Sequence, residues 1–137
     1  MSAPATLAAV PVPDPDSAGW WEALSHGALS MCRCTECHRF MQVPQERCRL
    51  CAGPTTFEQV SGTGTIFSFI VVRHQSIPSL TPPYVVALVE LDEQPGLRLS
   101  GIVEADPLDL AIGERVRAVI RPIGESSFAA PSFEVVP

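Results

Sequence analysis

The sequence predicts a mainly β protein in which a short N-terminal helix and a cysteine-held metal ribbon precede a C-terminal barrel of five strands. Three observations predict it. Four cysteines stand as two CxxC pairs, Cys34-Thr-Glu-Cys37 and Cys48-Arg-Leu-Cys51, with ten residues between them. From Thr65 onward, runs rich in β-branched and aromatic residues alternate with turns that contain proline or glycine. Ahead of the cysteines lies one apolar cluster, Trp20, Trp21 and Leu24, preceded by residues that start helices.

Residues 1–15 read as a disordered or draped arm, because Pro4, Pro11 and Pro13 fall among small residues and interrupt regular structure. A helix is expected within residues 16–30. Asp16 or Ser17 can cap it, Trp20, Trp21, Leu24 and Leu29 supply its apolar face, and it ends near Gly27. Adjacent tryptophans on a helix point about 100° apart, so one short helix can hardly bury both against its own domain. Trp20 and Trp21 are therefore candidate partner-binding residues, since tryptophan is enriched where interfaces concentrate their binding energy.

Residues 31–55 hold the cysteines. A CxxC turn sets two thiolates on one edge of a knuckle, and two facing knuckles supply the four sulfurs that zinc prefers. Cys34, Cys37, Cys48 and Cys51 are expected to ligate one structural Zn2+ in a closed shell with no position open to substrate. The ten-residue spacer is shorter than the usual 15 to 20 and implies a tight hairpin shaped by Pro44. Redox pairs or disulfides are the alternative, but nothing around either pair resembles a thioredoxin-type unit. Cys32 has the wrong spacing to Cys37 for a knuckle and reads as a small buried apolar residue. His38 follows Cys37 where a glycine is common and reads as a surface ring. Arg33, Arg39, Arg47 and Arg49 surround the site and would offset the negative charge that four thiolates leave on the metal.

Residues 56–137 are read as the barrel domain. A segment over 56–60 leads into the bend Ser61-Gly62-Thr63-Gly64, and strands are expected over 65–73, 84–91, 97–103, 115–123 and 128–136. The loop over 74–83 is too long for a tight hairpin. Glu93-Gln94-Pro95-Gly96 is a turn, and Asp106-Pro107 starts one helical turn. Five strands with a short helical element between the third and fourth is the order of an OB-fold barrel; an SH3-like barrel is the alternative.

Hydrophobic residues make up 46% of the 137 and charged residues only 18%, against about 25% charged in ordinary usage. So apolar a small chain is expected to have some of its surface covered by a partner. The formal charge of −6 disfavours indiscriminate attraction to nucleic-acid phosphates. All nine basic residues are arginine, with no lysine or asparagine; codons for the missing two are adenine-rich, which points to a GC-rich bacterial genome. The N-terminus lacks the basic start of an export signal, and no apolar run approaches the ~20 residues of a membrane span. A cytoplasmic protein with reduced cysteines and no membrane contact is the expectation.

No GxSxG, P-loop, GxGxxG or HExxH pattern is present, so no residue is assigned a catalytic role. Arg73 and His74 sit where the long first barrel strand gives way to its loop and are candidates to line a substrate passage. OB-folds also bind single-stranded nucleic acid through a basic groove and stacked aromatics. Arg115, Arg117 and Arg121 would supply the charge, but the strands are aromatic-poor.

The run from the tryptophan helix through Cys34-x-x-Cys37, Pro44 and Cys48-x-x-Cys51 continues into Val60-Ser-Gly-Thr-Gly-Thr-Ile-Phe-Ser-Phe69. It then reaches Pro83-Tyr-Val-Val-Ala-Leu-Val-Glu-Leu-Asp-Glu93. This order resembles the acyl-CoA-associated zinc-ribbon and OB-fold family known as domain of unknown function thirty-five, over residues 16–136. The resemblance implies a rubredoxin-like ribbon on the four cysteines and an OB barrel on the strands above. It also implies a companion role: members pair with thiolases, with hydroxymethylglutaryl-CoA synthase, or with lipid-transfer-protein-type aldolases that cleave the side chains of steroid acyl-CoA intermediates. The thiolase-like partner supplies the catalytic residues and shares the acyl-CoA substrate, while the zinc and OB chain helps complete the complex and the passage for the CoA thioester. The expected function is thus an accessory subunit of a thiolase-like enzyme, with a steroid side-chain retro-aldolase, a carbon-carbon lyase, preferred on the inferred genome. The alternatives are an accessory protein of a condensing thiolase or hydroxymethylglutaryl-CoA synthase, and a single-stranded nucleic-acid binder.

Overall fold

The computed structural model describes residues 9–137; the first eight residues of the expected arm lie outside them. Helix α1 spans Ala18–Ser25. Ser17 occupies the capping position without bonding the helix through its side chain. It exchanges hydrogen bonds with Asp14 instead: the Ser17 N–H donates to Asp14 Oδ1 at 2.7 Å and the Asp14 N–H to Ser17 Oγ at 3.1 Å. The side chain that fixes the chain ahead of the helix is therefore Asp14, two residues before Asp16. Leu24 is its one fully buried residue, and Trp20 and Trp21 pack half-buried against the same core. Gly27, at φ 80°, turns the chain away. Leu29, grouped with the helix from the sequence, lies past its end, buried, with its carbonyl accepting from the Val60 N–H at 2.9 Å.

Three antiparallel strands follow, β1 (Ser30–Cys34), β2 (Phe40–Met41) and β3 (Thr55–Gln59), in the order β2-β1-β3. The segment assigned from the sequence to the barrel thus belongs by hydrogen bonding to the ribbon sheet, paired along all of β1 from Ser30↔Gln59 to Cys34↔Thr55. Phe57 accounts for the difference, because it packs on the small cluster of Cys32, Cys34, Met41 and Cys48 and cannot serve two cores.

The barrel consists of β4 (Thr63–Val72), β5 (Tyr84–Leu91), β6 (Arg98–Val103), β7 (Arg115–Pro122) and β8 (Ala129–Val135). It closes in the order β4-β5-β6-β8-β7. Every pairing is antiparallel except β6 with β8, which runs parallel through Ile102↔Ser132 and Val103↔Phe133. With a 3-10 turn at Pro107–Asp109, whose Leu108 N–H is capped by Asp106 at 2.9 Å, this is the OB-fold arrangement. Strand β5 shows the period of two without a break: Val85, Ala87, Val89 and Leu91 point inward, while Tyr84, Val86, Leu88 and Glu90 stay half-exposed. Phe133 fills the interior. Gly101 gives it room, since a Cβ there would stand 2.8 Å from its ring. No described helix is long and apolar enough to cross a membrane.

One core runs through both parts. Leu24, Leu29, Met31 and Phe40 join the barrel residues Val60, Leu91 and Leu97 in a single buried cluster. A side chain also bridges them: Gln94, in the turn between β5 and β6, accepts from the Phe40 N–H at 2.9 Å and donates to the Phe40 carbonyl at 3.2 Å. An amide thereby stands in for a strand along β2, which is too short to be completed by backbone alone. Gln94→Ala strands both polar groups of a buried residue, and a loss of roughly 1 to 3 kcal/mol is expected in a denaturant titration.

Candidate functional site

The two cysteine knuckles are copies of one backbone motif. Cys34 closes β1, and its N–H donates to the Arg39 carbonyl at 2.9 Å; fourteen residues on, the Cys48 N–H donates to the Gly53 carbonyl at 2.8 Å. The residue after the second cysteine of each pair takes the left-handed conformation, His38 at φ 63° and Ala52 at φ 61°. Neither is glycine, so each knuckle holds backbone strain of about 1 to 3 kcal/mol. Within the turns, the N–H groups of Glu36 and Cys37 each lie 3.4 Å from Cys34 Sγ, and that of Leu50 lies 3.4 Å from Cys48 Sγ. Gly53 allows the second knuckle to cross the first, for a Cβ there would come 3.1 Å from Cys34 Sγ.

Facing each other, the knuckles bring the sulfurs of Cys34, Cys37, Cys48 and Cys51 within 4.8 Å of one another. Cys34 and Cys51 are 3.4 Å apart and Cys37 and Cys48 3.7 Å apart. A tetrahedron with metal–sulfur bonds of about 2.3 Å has edges of about 3.8 Å, so these four residues could hold a metal ion. The proton balance says the same. Bonds from the Cys37 and Glu36 N–H groups favour the thiolate of Cys34 and hold its pKa down at about 6. The N–H groups of Cys51 and Leu50 likewise lower Cys48. At Cys51 the Gly53 N–H acts downward, but the Cys34, Cys37 and Cys48 thiols together with burial push it up to about 12. Four thiols this close cannot all ionise without a cation among them.

Cys32 is outside this group. It is buried at 3% exposure, with its sulfur 3.6 Å from the Gln45 carbonyl. The His38 ring is on the surface. Arg33 bonds the His38 carbonyl at 2.7 Å and pairs with Glu58 at 2.6 Å, so its charge is met by a carboxylate and not by the sulfurs.

The chain is 38% identical over 98 residues to a DUF35 domain-containing scaffold protein of Methanocaldococcus jannaschii, of which it covers 67%. The chain belongs to the DUF35 family. The family model described as the C-terminal OB-fold domain of ChsH2 matches residues 57–121. A solved structure of the Ltp2-ChsH2(DUF35) aldolase superposes at a TM-score of 0.85 with 31% identity, over 92% of this chain and 98% of that one. Two further relatives are 37% identical over 113 residues and 47% identical over 66 residues, 80% and 47% of this chain. They are a probable enoyl-CoA hydratase alpha subunit of Thermomonospora curvata and the 3-oxo-4,17-pregnadiene-20-carboxyl-CoA hydratase alpha subunit of Mycobacterium tuberculosis. The matched segments span 34% and 21% of those proteins, so both are much longer than this chain.

In this DUF35 protein the other candidate residues are dispersed. Trp21 meets Phe128 edge-on at 6.0 Å, and Trp20 meets Trp21 edge-on at 6.4 Å. Both tryptophans wall a groove of about 570 Å3 that Leu80, Ile102, Ile123 and Pro131 also line. Arg73 and His74 are exposed beyond the end of β4 and do not line that groove. The basic stripe on β7 is neutralised. Arg115 grips Asp92 at 2.7 and 2.6 Å, Arg117 pairs with Glu134, and Arg121 grips Glu104 at 2.9 and 2.7 Å. These bonds hold Asp92 and Glu104 below the usual carboxylate range.

Sequence reasoning marked His38 as standing where a glycine is common but missed Gln94 and the second left-handed residue, Ala52. The fourteen-residue repeat of the knuckles was the signal that would have found Ala52. Cys34→Ser or Cys51→Ser is expected to abolish bound metal and leave residues 30–59 open to protease, whereas Cys32→Ser keeps both, as metal analysis and limited proteolysis would show. Ala52→Gly relieves the left-handed strain and is expected to retain metal against a chelator at least as well as the unaltered chain.

Proposed function

We propose that this chain is a noncatalytic accessory subunit of an acyl-CoA enzyme of the thiolase-like aldolase class. Its ribbon holds one structural Zn2+ through Cys34, Cys37, Cys48 and Cys51. The observation that carries the reading is the likeness, across nearly the whole of both chains, to the ChsH2-type chain of an aldolase. Three features of the molecule support it. Four sulfurs at tetrahedral spacing make a closed shell of the kind that holds a fold together, without an open position for substrate. Phe67, Ile70 and Ile77 are exposed on β4 and its following loop, the kind of apolar surface a partner covers. Carboxylates cover the arginines of β7, which argues against the single-stranded nucleic-acid reading.

A steroid acyl-CoA substrate, shared with the partner, is favoured by the Mycobacterium relative, whose name specifies a pregnadiene carboxyl-CoA. A second reading, the accessory part of an acyl-CoA hydratase, is favoured by the two relatives named hydratase alpha subunits. Co-purification from the native cell with identification of the bound chain separates the two, followed by assay of the complex for retro-aldol cleavage and for hydration. In the cytoplasm the cysteines stay reduced and available to zinc.

The tryptophans divide the work of this proposal. Trp21 fastens α1 to the barrel through Phe128, and Trp20, beside the groove, meets the partner. Trp20→Ala is expected to weaken the complex about 30-fold, equivalent to about 2 kcal/mol, with zinc retained and the chain's own melting temperature little changed. Trp21→Ala is expected to lower the melting temperature of the isolated chain. Turnover of an acyl-CoA by the isolated chain at the rate of the complex would remove the accessory reading. Arg73→Ala or His74→Ala would test the passage role by altering substrate use without releasing the partner.

A further inference from the structure

Five of the nine arginines are committed to ion pairs: Arg33 with Glu58, Arg98 with Glu90, Arg115 with Asp92, Arg117 with Glu134 and Arg121 with Glu104. The other four, Arg39, Arg47, Arg49 and Arg73, pair with no carboxylate among the described residues. Three of these four are on the ribbon, in a chain whose formal charge is −6. Arg39 and Arg49 line the same cleft, about 400 Å3 in volume, between the second knuckle and the turn that carries Gln94 and Pro95. At its mouth Val43 and Leu50 are 63% and 65% exposed. The metal site does not engage these guanidinium groups. The N–H groups that reach its sulfurs are backbone ones, those of Glu36, Cys37, Leu50, Cys51 and Gly53.

We propose that this cleft binds the phosphorylated nucleotide end of a CoA thioester, with phosphate oxygens on Arg39 and Arg49 and the adenine against Val43 and Leu50. The identity of the ligand rests on the acyl-CoA reading above; the anionic and flat character of what the cleft takes rests on its own residues. Planar guanidinium groups match phosphate oxygens two at a time. Exposed aliphatic side chains beside them suit the face of a purine better than they suit water. The volume is within the range of small-ligand sites and fits a nucleotide end, leaving the pantetheine arm to extend out of the cleft toward a partner's active site. A carboxylate-rich segment of a partner protein is the competing occupant, but it has no use for a cleft with apolar lips.

Calorimetry on the full zinc-loaded chain at low salt, with CoA, 3′-dephospho-CoA and pantetheine as probes, decides the matter. CoA is expected to bind, 3′-dephospho-CoA more weakly and pantetheine not at all, with the CoA affinity falling as salt is raised. Arg39→Ala and Arg49→Ala should each weaken CoA at least about tenfold, while zinc content, melting temperature and partner co-purification stay unchanged and Arg73→Ala binds CoA normally. The proposal is overturned by absence of CoA binding, by pantetheine binding as tightly as CoA, or by arginine variants that keep CoA but release the partner. A chain that binds CoA through these arginines yet has no acyl-CoA enzyme as partner would keep the cleft and discard the accessory reading. Partner binding without CoA binding would do the reverse.

Discussion

The two knuckles depend on four sulfurs being held closer together than four sulfurs tolerate alone. Beyond the residues that join the barrel's core, the ribbon has little else. Its own apolar cluster is Cys32, Cys34, Met41 and Cys48 with Phe57 half-covering it, and β2 is two residues long. Against that stand two left-handed residues and the mutual opposition that drives the Cys51 thiol up to about 12. A divalent cation at the centre reverses the sign of the sulfur–sulfur term, because it converts repelling thiolates into ligands. Were such a cation bound, its binding and the folding of this segment would be one equilibrium, and it would hold the strain at His38 and Ala52 in place.

The barrel is constrained differently, by burial. Ile66, Val85, Val89, Leu91, Val116 and Phe133 are almost wholly out of water, and closure leaves no free strand edge. The two regimes meet at Phe40. Its ring belongs to the barrel's core, its backbone is completed by Gln94, and the Arg33 guanidinium lies 4.5 Å above its ring. Loss of metal would be felt first in β2 and at this junction. The barrel interior, whose packing does not involve the cysteines, would outlast it.

Periodicity made the barrel legible in the sequence. The alternation over Tyr84–Leu91 and the Asp106-Pro107 cap each had one local explanation, and the structure has both. The cysteine spacing made the four-sulfur cluster legible for the same reason, since CxxC geometry is local. What the sequence hid were facts about partners distant in the chain. Whether residues 55–59 pair with β1 or with the barrel is settled by Phe57 finding the cysteine cluster. Arg115, Arg117 and Arg121 look like a basic stripe along one strand, and only the fold brings Asp92, Glu134 and Glu104 onto them. Gln94 looked like an ordinary turn residue because the backbone it completes is 54 positions away.

Helix α1 determines what kind of OB barrel this is. In such barrels the second and third strands, with the loops after the first and fourth, form the usual ligand face. Those elements here are β5 and β6, the loop after β4 and the loop after β7. The tryptophan pair walls the groove that Leu80, Ile102 and Ile123 contribute from these same elements, and Phe128 is the ring that seats Trp21. A helix in that position narrows the face on which single strands would stack and lines what remains with indole and aliphatic carbon. Relatives of this fold are named for hydration, for aldol chemistry and for scaffolding. The accessory role proposed above asks of such a module only what the substrates of different chemistries share, and in the hydratase relatives whose names specify one, that is a CoA thioester. A four-cysteine ribbon, an apolar groove and a cleft that holds the unpaired Arg39 and Arg49 are parts such a role would use.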